Sequence, residues 1–294
     1  NIEKYSDYIF GASQPQHYLF VKEYYPKIYE KIKKLVKAGR WEPQGGMWVE
    51  ADCNLISGES MVRQILHGKN FFLEEFGVDV KNLWLPDVFG YSAAMPQIIR
   101  KSGMDYFITQ KLSWNQFNKF PHHTFIWQGI DGSKVITHFP PEDNYNSELL
   151  PSALKKAQEN FAENYMLDEF LSLCGIGDGG GGATEQILET GRRCQNLENC
   201  PQVKFDSAQN FLDRLGENKD RLHTWSGELY MEGHRGTLTT HGYNKKMNRF
   251  MELRMRALEI LFSAADFNYY PALEFDKMWK TILLNQFHDI IPGS

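Results

Sequence analysis

The stretch Leu83-Trp84-Leu85-Pro86-Asp87-Val88-Phe89-Gly90-Tyr91-Ser92 decides the reading of this chain. A short apolar run ends at a proline, and a carboxylate follows directly. That order predicts a buried strand, Leu83–Leu85, delivering Asp87 to the mouth of a cleft. Asp87 has two readings. Aspartate before a short helix is a common N-cap. A carboxylate lodged among Trp84, Pro86, Phe89 and Tyr91 is costly to bury unless it binds a cation or works on a substrate.

Working outward, residues 20–38 carry Ile28, Ile32, Leu35 and Val36 at helical spacing, and Gly39 stands where a C-terminal stop is expected. Residues 60–76 predict a second helix, capped by Ser57 or Ser60, with Met61, Ile65, Phe72 and Phe76 on one stripe. After the Asp87 loop come a short helix, Met95–Lys101, and a strand, Tyr106–Thr109. Strand, helix, strand is the order of an α/β layout with parallel strands. Thr124–Trp127 and Lys134–Phe139 predict a hairpin around Asp131-Gly132. A strand Phe170–Leu173 is expected to run into the loop Gly175–Gly182. A helix over 184–196, a strand Val203–Phe205 and a helix after Ser207 follow. Beyond residue 240 the pattern is helical without strand signals. The expected division is an α/β domain over 1–240 and a helical unit over 241–294.

The 294 residues suffice for one large α/β domain with a smaller helical one. The formal net charge of −5, without a basic block, argues against nucleic acid or an anionic membrane as the main partner. No apolar stretch approaches the roughly 20 residues that span a bilayer. Cys53, Cys174, Cys194 and Cys200 form no CxxC pair and no zinc-finger spacing, which suits free thiols in a reducing, cytoplasmic setting.

Three further segments carry groups that could do chemistry. Gln286-Phe287-His288-Asp289 places a histidine near a helix end, as a dipole-stabilising cation or as a zinc ligand beside Asp87. The loop Gly175-Ile176-Gly177-Asp178-Gly179-Gly180-Gly181-Gly182 lacks the lysine and hydroxyl of a P-loop. Its strand would deliver Asp178 where α/β barrels build their sites. The run Trp225 to Thr237 holds Glu228, Glu232, His234 and Arg235, as hydroxyl binders or as a structural ion-pair network.

Taken together and in order, Leu85–Ser92, Gly177–Gly182, Glu228–Gly236 and Phe287-His288-Asp289 resemble glycoside hydrolase family 38, the retaining α-mannosidases. The glycine-rich loop is similar to the branch with cytosolic, vacuolar and bacterial members. The resemblance implies a seven-stranded α/β barrel-like catalytic domain followed by a helical bundle. It implies one zinc ion that grips sugar hydroxyls, with Asp87 and His288 as ligands. It makes Asp87 the nucleophile and Asp178 the acid/base of a double displacement on a mannose-containing oligosaccharide. Tyr145 and Asp289 are the implied substrate contacts, and Glu228, His234 and Arg235 are further candidates from the run that holds them. It leaves room for a homo-oligomer of the full-length protein.

The family's N-terminal His-x-Asp pair, which supplies two further zinc ligands, has no match in this sequence. Nor is there a counterpart of its C-terminal β-sandwich region. The chain is therefore expected to be a fragment, weakly active or inactive by itself. Two other readings compete: a metal-dependent carbohydrate deacetylase, and a mannoside-binding module without catalysis.

Overall fold

The computed structural model describes residues 1–178 and 180–294. Gly179 of the glycine-rich loop lies outside the described residues. In chain order the elements are β1 (Phe10–Ala12), α1 (Pro15–Tyr24), α2 (Pro26–Lys37), β2 (Trp41–Pro43), α3 (Gly58–Phe76), β3 (Asn82–Trp84), α4 (Met95–Lys101), β4 (Tyr106–Ile108), β5 (Thr124–Gln128), β6 (Lys134–His138), α5 (Pro151–Asn160), α6 (Glu185–Arg193), α7 (Ala208–Gly216), β7 (Thr224–Ser226), α8 (Gly242–Ala264) and α9 (Ala272–Asn285).

Among the described residues these seven short strands form two sheets, not one closed ring. β1 and β2 pair in parallel, and the other five run in the order β3-β4-β6-β5-β7. The fold is mixed α/β, as expected, and among the described residues a closed seven-stranded barrel is not seen. β3, β4 and β6 are mutually parallel, with Leu83 opposite Phe107 and Phe107 opposite Thr137. β5 and β6 form the expected hairpin. Parallel strands covered on both faces must be apolar throughout. Accordingly Leu83, Leu85, Val88, Phe107 and Ile108 are fully buried, each worth about 1.5–3 kcal/mol of transfer free energy.

The continuous helix expected over 20–38 is broken at Tyr25-Pro26, because Pro26 cannot donate to the preceding turn and instead opens α2. Ile28 is consequently half exposed, and Tyr29 and Ile32 face the core. α3 begins as expected, with the Ser57 hydroxyl accepting from Ser60 N. It crosses the Gly45-Gly46 turn so closely that a Cβ on Gly68 would lie 2.2 Å from the Gly46 carbonyl oxygen. Only glycine fits there.

Phe170–Leu173 and Val203–Phe205, expected as strands, are irregular. Their backbone partners lie elsewhere. Leu171 N donates to His138 Nε2 at 3.2 Å, Leu173 O accepts from Ser147 N, and Val203 N donates to Cys194 O at the end of α6.

α8 and α9 pack on each other, and α9 packs on α3. Phe275, Trp279, Ile282 and Leu283 belong to the same apolar core as Leu83 and Phe107. A buried polar knot also crosses this contact, where Glu252 of α8 accepts from Ser57 N, Ser60 Oγ and Gln286 Nε2. Among the described residues no helix is long and apolar enough to cross a membrane.

His138 gives the fold a pH dependence. Its ring is fully buried between Thr124 Oγ1, 2.9 Å from Nδ1, and the Leu171 amide. Burial first, then neighbouring His123, pushes it down to about 3. A histidine neutral in the folded state and ordinary in the unfolded one lets the unfolded chain bind more protons below about pH 6.5. Stability should therefore fall with pH below that point, by on the order of 2 kcal/mol at pH 5. Urea unfolding at pH 7 and pH 5 should show a smaller difference for His138→Gln than for the parent. An unchanged difference would remove His138 as the cause.

Candidate active site

The Asp87 turn is fixed from below. Leu85 N continues the β3–β4 ladder by donating to Ile108 O at 2.9 Å. The buried Tyr91 hydroxyl lies 2.7 Å from Leu85 O, 3.0 Å from Val88 O and 2.6 Å from Thr109 Oγ1. The N-cap of α4 is Ala94, so Asp87 is not a helix cap. Its carboxylate projects into a cavity of about 580 Å³, whose wall also includes Glu50, Tyr145, Asp178, His288 and Asp289.

His288 stands beyond the end of α9, whose C-cap is Gln286. Its backbone N–H and ring Nδ1 both meet the Glu50 carbonyl, the ring at 2.7 Å. Nδ1–H is therefore the donor to the carbonyl, and Nε2 faces the cavity. Nε2 is 3.7 Å from Asp87 Oδ2 and 3.9 Å from Asp289 Oδ2. Burial lowers the His288 imidazole, but Asp87 and Glu50 outweigh it and leave it raised.

Lys111, which the sequence reading missed, donates to Asp87 Oδ1 at 2.5 Å. Its side chain is only 5% exposed, and its ammonium sits 3.8 Å above the Trp114 ring and 5.4 Å above Phe89. Burial pushes the Asp87 carboxyl up, yet His288 and Lys111 together hold it below its ordinary value. The acid is thereby kept ionised.

Tyr145 stacks on Trp114 and shares the cavity wall with Asp87. Burial, then Asp87 and Asp178, push its hydroxyl up, so it remains a neutral donor. The Gly177 amide donates to Asn146 Oδ1, and a Cβ on Gly177 would strike the Tyr145 ring at 2.7 Å. This close approach seats the glycine-rich loop against Tyr145 and brings Asp178, at φ 52°, to the cavity rim.

The remaining expected residues divide. Asp289 lines the cavity and accepts from Ser294 Oγ. His234 packs edge-on to Phe89 at 4.7 Å. Glu228 is exposed and outside the cavity lining, as is Arg235, whose Nε donates to Glu232 O at 3.2 Å. Glu232 serves the fold, its carboxylate accepting from Phe117 N and Asn118 N. Glu50 and Gln44, both buried in the cavity wall, were not anticipated. Burial pushes the Glu50 carboxyl up, against the pull of His288 and of the Ser13 hydroxyl.

As a metal site the arrangement is partial. An imidazole with its second nitrogen tied to a carbonyl and a carboxylate opposite are ordinary zinc donors. Among the described residues, however, no three His, Cys, Asp or Glu side chains converge in a way that could hold a metal ion. Asp87 and His288 fit two corners of a tetrahedron, not four.

Residues 1–228 match the glycosyl hydrolases family 38 N-terminal domain, and residues 232–294 match the alpha mannosidase middle domain. The whole chain is 44% identical to Alpha-mannosidase 2C1 of Homo sapiens and to Alpha-mannosidase G of Dictyostelium discoideum, spanning 29% and 27% of their lengths. It is 40% identical to Alpha-mannosidase of Saccharomyces cerevisiae, spanning 28% of it. The crystal structure of an alpha-mannosidase from Enterococcus faecalis superposes on 99% of the chain with a TM-score of 0.82, at 21% identity and over 35% of that protein. With more than half its length matched by the first of these domains, the chain belongs to glycosyl hydrolase family 38.

Proposed function

We propose that the complete protein hydrolyses terminal α-linked mannose from mannose-containing glycans by double displacement, with Asp87 as nucleophile and Asp178 as acid/base. The observation that carries this reading is one cavity receiving Asp87, Tyr145, Asp178 and His288 from four separate segments. In the first step an Asp87 oxygen bonds to the anomeric carbon while the glycosidic C–O bond breaks. The protonated Asp178 gives its proton to the departing oxygen. In the second, Asp178 takes a proton from water, the water oxygen bonds to the anomeric carbon, and Asp87 leaves as a carboxylate. The two carboxyl groups of such a retaining pair are expected about 5–5.5 Å apart.

Lys111 orients the Asp87 carboxylate from Oδ1, and Tyr145 stands in the same cavity wall. Trp114 and Phe89 keep water from the Lys111 ammonium. A zinc ion held by Asp87 and His288, with donors from elsewhere in the complete protein, would supply Lewis-acid grip on sugar hydroxyls. With only two donors, this 294-residue chain should bind zinc poorly and be at most weakly active by itself.

The test of the metal ligand is His288→Ala in the complete protein. Zinc content, read by mass spectrometry of metals, should fall at least tenfold together with aryl α-mannoside turnover. Full zinc occupancy in the variant would remove His288 from the ligand set. Strong turnover by the isolated chain would contradict the expectation of weak activity.

A further inference from the structure

Two polar side chains in the cavity wall have no assigned role. Gln44 directly follows β2, and its side chain lies along Gly11 of β1, where an added Cβ would come within 2.9 Å of Gln44 Nε2. The Gln44 side chain packs directly against this glycine. Gln44 is 3% exposed, and its carbonyl oxygen accepts no hydrogen bond among the described residues. A buried side-chain oxygen without a donor is a cost that a bound hydroxyl would offset.

Glu50 is 9% exposed. Its backbone is fixed on both sides, by Gln14 Oε1 on its N–H and by His288 on its carbonyl. Its side chain accepts from Ser13 Oγ at 2.6 Å through Oε1, and among the described residues no donor reaches Oε2. Both side chains line the cavity that receives Asp87.

We propose that Gln44 and Glu50 form a hydroxyl-recognition wall, reading ring hydroxyls of the sugar bound beside Asp87. The inference rests on the reading of the protein as a mannosidase and adds the residues that set its sugar preference. Glu50 Oε2 is an acceptor for one hydroxyl. The Gln44 amide offers both a donor and an acceptor, which suits a hydroxyl that gives and takes. A site built to bond a hydroxyl rejects the analogue lacking it, because its own buried polar atoms are then left unpaired.

The experiment uses the complete protein, its Gln44→Leu and Glu50→Gln variants, and 4-nitrophenyl α-mannoside with its four monodeoxy analogues. Each variant should lower kcat/KM on the parent mannoside by about ten- to hundred-fold. On the one analogue that lacks the hydroxyl it reads, the same variant should lose no more than about twofold. Gln44→Leu removes an unpaired buried amide, so its Tm should stay level or rise. Equal losses on all five substrates, or a lowered Tm with equal losses, would overturn the wall and leave the mannosidase reading intact. A wild-type protein that turns over none of the five would overturn the mannosidase reading, and the wall with it.

Discussion

Asp87→Asn in the complete protein is expected to lower aryl α-mannoside turnover by on the order of 10⁴-fold, as loss of a nucleophile does elsewhere. The substitution is nearly isosteric. The Asn oxygen can still accept from Lys111, now at Asp87 Oδ1, so the buried ammonium keeps a partner and the protein should still fold. Asp87→Ala is a worse test. It strands Lys111, whose side chain is 5% exposed, and breaking a buried ion pair from one side costs about 3–5 kcal/mol. The chemical readout is a covalent one. A fluorinated mannosyl probe should mannosylate the wild-type protein at the peptide carrying Asp87, with fluoride as the leaving group, and leave Asp87→Asn unlabelled. A variant keeping a tenth of the parent rate would end the nucleophile assignment. A protein that binds mannosides equally well with and without the carboxylate, and never forms an adduct, would be a binding module instead.

How much of this could be read from the residues depends on how local the signal is. Pro86-Asp87 after an apolar run, the hairpin around Asp131-Gly132, helix α4 and the helix starts near Ser57, Thr184 and Ser207 are all short-range patterns, and each appears where its pattern put it. Pro26 was just as local, but the helical periodicity on both sides masked it. The segment 170–173 has strand-like composition. What keeps it irregular is remote: a histidine on β6 and a serine at 147 take its backbone bonds. Sheet closure is likewise a long-range property, and repeated strand signals do not reveal it. In the site, Asp87 and His288 were legible because each stands just past the end of an element, β3 and α9. Lys111 had a signal that went unused. β3 and β4 are parallel neighbours, so residues after their C-terminal ends share one rim, and Lys111 follows β4 much as Asp87 follows β3. Gln44 and Glu50 had none, because an unpaired buried amide can be recognised only once its surroundings are known.

Lys111→Met should lower kcat on an aryl α-mannoside by about 10²-fold with little change in KM, and Lys111→Arg should recover part of the loss. The split follows from the contacts. Lys111 touches Asp87 Oδ1 and the faces of Trp114 and Phe89, so it acts on the orientation and charge of the attacking group and is a positioning residue. Methionine keeps most of the buried volume and the aromatic contacts, which separates loss of the cation from loss of packing. Arginine keeps the charge, but its planar fork is broader than an ammonium, so recovery should be incomplete. The pH profile adds a second readout. Burial raises the Asp87 carboxyl, and His288 and Lys111 bring it below its ordinary value. Without the ammonium one of the two opposing pulls is gone, so the carboxyl should protonate at higher pH. The reaction needs the carboxylate, and the acidic limb of kcat/KM should therefore move to higher pH in Lys111→Met and stay near the parent position in Lys111→Arg. A wild-type kcat with an unmoved acidic limb in Lys111→Met would reduce the Lys111–Asp87 contact to a structural ion pair. A raised KM at constant kcat would instead make Lys111 a substrate contact.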